Sequence, residues 1–349
     1  MTVSDPSTAA AGNTAASPAT IAARTVASGP REPSTFKKWA GRVPGPLVGL
    51  VVIFVLLSIL SPYFLTPRNL LNIVTQISAV GIMSVGALMV IIIGGIDLSV
   101  GATLALSSMV MGFLFSYAGM PFELALVLGL GVGGLIGLLN GILVTVGRLQ
   151  PFIATLATMS AATGLAVFIT GGNTVNGFPE WFVSLTRLSI AGIPVQGLIL
   201  LAVFLLAAFW LRFRPGGRAL YAIGGNEEVA RLSGIPVRRT KLVVYTIAGL
   251  LAALGGLLVT SRLDSAQPTA GAADLLNVIA VVVIGGASLA GGTGSLLGTF
   301  VGLLIIGVLN NGLSLLGVSP NLQPVVLGAV IVAAVLTDRQ ARKAQSGER

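Results

Sequence analysis

The residues best placed to do chemistry form a short polar stretch between two long apolar runs. It begins at Asn226 and ends at Gly234, and it reads NEEVARLSG. Asn226 can accept hydrogen bonds from the free N–H groups that start a helix, and Glu227 and Glu228 would lie at the positive end of its dipole. Gly234 supplies a left-handed stop, and Pro236 prevents the helix from continuing. The pattern predicts a capped helix of about two turns.

One face of this helix is apolar. Val229 and Leu232 are three residues apart, so they share a face, and Arg231 stands beside them with the two glutamates. Apolar anchors with a charged rim are typical of small protein interfaces. The stretch is therefore either a docking element for a soluble partner or an ordinary solvated loop with a capped turn, and spacing alone favours neither.

Residues that would support catalysis are missing. The chain has no cysteine and no histidine, which removes thiol chemistry, the usual proton shuttle and the commonest metal ligand. It also has no G-x-x-x-x-G-K-[ST] loop for nucleotide phosphates and no series of buried carboxylates for proton coupling. We predict no catalytic residue, metal or cofactor in this chain, so the energy for any transport must come from another subunit or a gradient.

Some polar residues fall inside the apolar runs. Asp97 follows Gly94-Gly95, where the chain can unwind, and it could cap a helix starting at Leu98 or line a pathway, since ionisable groups at membrane depth are often functional. Neutral groups suit either the passage of a polyhydroxylated solute or hydrogen bonds between helices. The neutral pathway candidates are Asn72, Gln76, Asn140, Asn310 and Asn311.

The composition is that of a membrane protein. Of the 349 residues, 54% are hydrophobic and 9% charged, with a mean hydropathy of +0.97, whereas soluble domains carry about 25% charged residues. We predict an all-α polytopic fold of about ten spans. The apolar segments are about 46–62, 70–94, 98–117, 123–146, 152–170, 194–212, 241–261, 275–290, 295–315 and 323–337. The segment 275–290 is short, which predicts a broken or re-entrant helix.

The positive charge predicts orientation. If the loop 213–240 is cytoplasmic, the ten spans place both termini inside, with 17 Lys and Arg residues inside and 3 outside. This agrees with the positive-inside rule, so the net charge of +9 does not indicate a nucleic-acid partner. We expect a disordered cytoplasmic tail over 1–43, a membrane domain over 44–340 that includes the 213–240 loop, and a basic cytoplasmic tail over 341–349.

Two parts of the chain resemble each other. IIGGIDLS at 92–99 matches VIGGASLA at 283–290, GLLNG at 137–141 matches GVLN at 307–310, and LLN at 70–72 matches LLN at 275–277. The matches come in the same order in both halves, and six predicted spans separate the two copies. An even number of spans predicts a parallel repeat, a known transporter plan.

Together these motifs resemble the permease subunits of bacterial ABC importers for simple sugars, of the ribose, xylose and galactose type. The similarity covers about residues 45–340 and includes GGIDLSVG at 94–101, PFIATL at 151–156, YAIGGNEEVARLSGI at 221–235 and SAQPTAG at 265–271. It implies a homodimer in the bacterial inner membrane, two ATP-binding subunits that hold ATP and Mg²⁺, and a periplasmic or lipid-anchored sugar-binding protein. It also implies that the loop around Asn226 couples the permease to the ATPase.

The sequence departs from this family at one place and leaves other functions open. The family often has Glu and Asp before its VIGG motif, whereas Leu275 and Asn277 stand here, with Asp274 just upstream. A stand-alone secondary transporter or channel is the alternative function. Within the importer class, the solute could also be a nucleoside, an autoinducer sugar or another small polar compound.

Overall fold

The computed structural model describes residues 45–319, 321–330 and 332, so the predicted tails 1–43 and 341–349 lie outside the described residues. The described chain is mainly helical. Its helices are α1 (Gly45–Leu60), α2 (Pro67–Ile92), α3 (Val100–Ser116), α4 (Phe122–Thr145), α5 (Pro151–Phe168), α6 (Glu180–Ser184), α7 (Val195–Phe213), α8 (Pro215–Gly225), α9 (Glu227–Leu232), α10 (Val237–Leu263), α11 (Asp274–Ile284) and α12 (Leu296–Leu315). Residues 323–330 are also helical.

Six helices, α2, α4, α5, α7, α10 and α12, are long and apolar enough to cross a membrane. The apolar helices α1, α3 and α11 are shorter, with 16, 17 and 11 residues. The structure therefore supports a multi-pass, all-α membrane protein, while the count of ten spans stays a prediction. The short α11 agrees with the expected break in the 275–290 segment, because the chain turns at Gly286, whose φ is +86°.

The bundle has two distinct ends. At one of them, which we call the hairpin end, β1 (Val175–Asn176) pairs antiparallel with β4 (Ser265–Ala266). Nearby lie α6 and a small hairpin of β2 (Ser189–Ile190) and β3 (Ile193–Pro194). The other end, which we call the loop end, holds α8, α9 and the turn at 146–150. The predicted cytoplasmic loop and the predicted outer loops thus lie at opposite ends.

Close packing of glycine backbones holds the centre together. Gly249 of α10 lies against Gly133 and Gly137 of α4, and a Cβ added at any of the three would collide with the backbone of the facing helix. Small residues spaced four apart allow helices to approach this closely. The tight seam makes α10 the central helix, between α4 on one side and α2 on the other.

The helix directions correct part of the predicted repeat. The α2 and α11 helices both run toward the loop end and both stop at a glycine pair, as a parallel repeat requires. Asn140, however, lies on α4, which runs toward the loop end, whereas Asn310 lies on α12, which runs toward the hairpin end. The match between 137–141 and 307–310 therefore does not belong to a parallel repeat, and Gly-rich membrane helices are similar enough to produce it.

The helix α8 was not predicted from the sequence. Its glycines suggested an irregular loop, but Pro215 occupies the first turn, where proline is favoured, and the chain is helical to Gly225. The buried residues Gly217, Leu220 and Ile223 recur every three residues. This spacing is the helical signal that the glycines obscured.

Candidate functional site

The capped helix predicted around Asn226 is present as α9. The Asn226 side-chain oxygen Oδ1 accepts a hydrogen bond from the N–H of Val229 at 3.0 Å. Glu227 and Glu228 occupy the first turn, and Gly234 has a φ of +82° in the left-handed region. The caps read from the sequence therefore fix both ends of α9.

The α9 helix rests on the protein by one side and presents the other to solvent. Ala230 is buried, with 3% of its surface exposed, whereas Val229 and Leu232 are 57% and 78% exposed. Exposed apolar side chains are common when single, but these two share one face of a helix that also has charged neighbours. The described chain thus offers an uncovered apolar face at the loop end.

Two ion pairs border this face. Arg231 pairs with Glu228 at 2.5 Å within α9, and Lys241 of α10 pairs with Glu227 at 2.6 Å. Exposed pairs add little to stability, typically about 0–1 kcal/mol. The pair to Lys241 connects α9 to the central helix α10.

A basic groove lies next to α9. Its volume is about 630 Å³, and it separates α9 and the start of α10 from the turn after α4. Four cations and one carboxylate contribute to its walls, so its net charge is positive. These charged residues are Arg148, Glu227, Arg231, Arg238 and Lys241.

The α8 helix makes a second connection from the loop end to the bundle. Gly224 lies against the backbone of Ile92, where α2 ends, and of Gly292, in the loop after α11. The N–H of Gly292 donates a hydrogen bond to the carbonyl of Ile92 at 2.9 Å. The Tyr221 hydroxyl donates to the carbonyl of Gly294 at 3.1 Å. The end of α2 and the loop after α11 therefore meet under α8.

Burial also favours the neutral hydroxyl of Tyr221. Its pKa is raised above the usual value by desolvation, so the group stays protonated at physiological pH and remains a donor. The hydrogen bond to Gly294 is therefore independent of pH over the range in which cells grow.

Asp97 belongs to a buried hydrogen-bonded network. Its Oδ1 accepts hydrogen bonds from the N–H and the hydroxyl of Ser99, at 2.8 and 2.6 Å. The helix α3 begins at Val100 rather than at Leu98, so Asp97 stabilises the turn before the helix. The Asn140 amide donates to the Ser99 hydroxyl at 2.8 Å and accepts from Thr158 at 2.6 Å. This network joins the first break to α4 and α5.

A second group of polar side chains lies nearer the hairpin end. Five of them line a cavity of about 100 Å³ between α2, α10, α11 and α12, which we call the polar cavity. The structure brings together two predicted pathway candidates and three residues that the sequence did not select for this role. The five are Gln76, Arg262, Asp274, Asn277 and Asn310.

The remaining candidates lie elsewhere. Asn311 exchanges two hydrogen bonds with Asn69, at 3.0 and 2.9 Å, and so joins α12 to the first turns of α2. Asn72 is exposed one turn before Gln76, on the same face of α2. The six predicted pathway residues thus separate into four places. Asp97 and Asn140 belong to the buried network and Asn311 to the interhelical pair. Gln76 and Asn310 line the polar cavity, and Asn72 is exposed next to Gln76.

Several site residues could not be recognised in the sequence, and the cause is the same for each of them. Serine and threonine are frequent in membrane helices, so Ser99 and Thr158 did not stand out. Their roles depend on Asn140, which is 41 residues from Ser99 and 18 from Thr158. Arg262 was counted only as an outer charge. The sequence signal for Arg262 was its charge at the expected end of a span. The residues around it in the cavity come from other helices, so the sequence did not show them.

A bundle of apolar helices with polar clusters inside and an uncovered, capped helix at one end is the architecture expected of a membrane transport subunit. Residues 69–335 match the family described as the branched-chain amino acid transport system/permease component. The chain belongs to this family. Permease components form pathways and are not catalytic, in agreement with the missing phosphate-binding loop.

Three named relatives are similar to this chain over most of its length. The chain is 49% identical to the ribose import permease protein of Bacillus subtilis over 85% of this chain and 92% of the relative. It is 46% identical to the ribose import permease protein of Escherichia coli K12, over 84% and 92%. It is 42% identical to the D-allose transport system permease protein of the same strain, over 83% and 89%. No solved structure matches the chain.

Proposed function

We propose that this chain forms the translocation pathway of an ABC importer for a simple sugar, such as ribose or allose. The similarity to permeases named for these two sugars carries the proposal. The family description mentions amino acids, so branched-chain amino acids are the competing substrates. Two copies would assemble in the bacterial inner membrane with both termini in the cytoplasm and receive the sugar from a periplasmic or lipid-anchored binding protein.

We further propose that α9 is the element through which the ATPase drives transport. Its apolar face consists of Val229 and Leu232, and no described segment of the chain covers these side chains. A groove of the ATP-binding subunit, which holds the ATP and Mg²⁺, would bury them. The Glu227–Lys241 pair and the Tyr221 contact would then transmit motion to the bundle in both directions.

Uptake assays test the substrate. The permease, its ATPase and its binding protein would be expressed together in cells that lack their own sugar importers, and uptake of labelled D-ribose, D-allose and L-leucine would be measured. We expect ATP-dependent uptake of a sugar and none of leucine. Uptake of leucine alone would contradict the proposal. Uptake by the permease without its ATPase would favour the alternative of a stand-alone secondary transporter or channel.

The substitution Leu232→Asp tests the coupling element. It places a charge where an apolar contact is expected, and the side chain is 78% exposed, so the fold should be unaffected. We expect normal insertion but loss of both sugar uptake and ATPase co-purification. Leu232→Met is the matched control, because it keeps an apolar side chain of similar size, and it should retain both properties. Normal uptake by Leu232→Asp would show that α9 is not the coupling element.

A further inference from the structure

The Asp97 network and the polar cavity differ in whether their side-chain groups have hydrogen-bond partners within the protein. In the Asp97 network, the side chains of Asp97, Ser99 and Asn140 bond to one another within the protein. In the polar cavity, Asn277 Oδ1 is buried and has no hydrogen-bond partner. The Asn277 side chain also lies within hydrogen-bonding reach of Asp274, while Gln76 is exposed and Asn310 is half-buried at the cavity. The polar cavity therefore has unused hydrogen-bonding groups.

Unused polar groups inside a membrane protein need a partner. An unpaired buried oxygen typically costs about 1–3 kcal/mol, and polar side chains turned toward lipid are also unfavourable. Gln76 and Asn72 are nevertheless exposed on one face of α2, and Arg262 is exposed beside them. Such a face is stable where it borders water, a polar ligand or another protein chain rather than lipid.

The chemistry of the cavity matches a sugar. Each hydroxyl of a sugar can both donate and accept a hydrogen bond. The amides of Gln76, Asn277 and Asn310 offer donors and acceptors in the same way. The carboxylate of Asp274 adds an acceptor, and the guanidinium of Arg262 adds several donors. The opposite charges of these two residues make the wall nearly neutral, which suits an uncharged solute.

We propose that Gln76, Arg262, Asp274, Asn277 and Asn310 form one wall of a binding site for the hydroxyl groups of a sugar in transit. This proposal rests on the proposed function. The cavity of about 100 Å³ is smaller than the about 300 Å³ at which small-molecule sites begin. The exposed face of α2 leaves it open on one side, so the site is completed by a second copy of the chain.

Single cysteines can test this wall directly, because the chain has no cysteine of its own. Gln76→Cys and Asn310→Cys would be treated, in cells that express the complete importer, with a charged, membrane-impermeant thiol reagent. Only the thiolate reacts, and a thiol surrounded by lipid stays protonated. The control is Leu205→Cys, because Leu205 lies on the apolar span α7 and is 60% exposed.

We expect both site variants to be modified at least about tenfold faster than Leu205→Cys, and we expect D-ribose to slow this modification. Modification no faster than in the control, or modification that D-ribose does not slow while the unsubstituted importer takes up D-ribose, would overturn the proposal. Failure of the proposed function is distinguished by the unsubstituted chain, which would then take up no sugar.

Discussion

Gly224 of α8 and Gly292 of the loop after α11 touch through their backbones, with no side chain between them. Gly292 also donates a hydrogen bond to the carbonyl of Ile92, at the end of α2. Three segments that are far apart in the sequence therefore meet at one point. Because no side chain separates these backbones, we expect a movement of α8 to displace the end of α2 and the loop after α11.

This contact predicts a strong effect of Gly224→Ala. The added methyl group would collide with the backbone of Ile92 and Gly292, and backbone cannot move aside as a side chain can. We expect a loss of about 1–3 kcal/mol in stability, visible as a lower melting temperature of the purified protein, and reduced uptake. Gly225→Ala is the control, because a methyl group there meets nothing within 4 Å. Equal melting temperatures for the two variants would contradict the expectation.

Tyr221→Phe isolates the hydrogen bond between α8 and the second break. The ring is kept and only the hydroxyl that donates to Gly294 is lost, so we expect a destabilisation of about 1 kcal/mol together with slower uptake. Tyr117→Phe serves as the control, since Tyr117 is 59% exposed. The prediction fails if Tyr221→Phe and Tyr117→Phe have the same melting temperature and uptake rate.

Substitutions of Asp97 separate its charge from its hydrogen bonds. Asn keeps an oxygen that can accept from Ser99, so Asp97→Asn should retain the fold and most of the uptake. Asp97→Ala leaves the N–H and hydroxyl of Ser99 without this acceptor in a buried position, which we expect to cost about 1–3 kcal/mol or more. Melting temperature and uptake should be measured together. Loss of uptake in a stable Asp97→Asn would show that the charge serves the pathway.

The orientation of the bundle is open to direct measurement. The excess of Lys and Arg at the loop end predicts that this end is cytoplasmic. A reporter fused at Arg349 should therefore be active inside the cell, and a tag inserted near Asn176 should be accessible outside. An accessible C-terminus would contradict the ten-span topology.

The sequence could predict those features of the structure that depend on residues close together in the chain. Asn226 and Gly234 fix the ends of α9 through contacts within four residues, and the apolar runs contain the long helices. The breaks at Gly94 and Gly286 were also visible, because glycine at positive φ needs no distant partner.

Contacts between residues far apart in the sequence could not be predicted. The bond between Asn140 and Ser99 depends on how α4 packs against the first break, and the polar cavity combines residues from four helices. The α8 helix was overlooked because its glycines weaken helix propensity, while burial of Leu220 and Ile223 stabilises it. Tertiary packing decided each of these cases.

The exposed face of α9 has a consequence for the making of the complex. If an ATPase covers α9 as proposed, a newly inserted subunit without that partner exposes Val229 and Leu232 to water. Uncovered apolar surface of this kind is recognised by cellular quality control, which removes incompletely assembled proteins. The lifetime of this subunit is therefore expected to follow the supply of that partner, because degradation would remove the copies that remain unassembled.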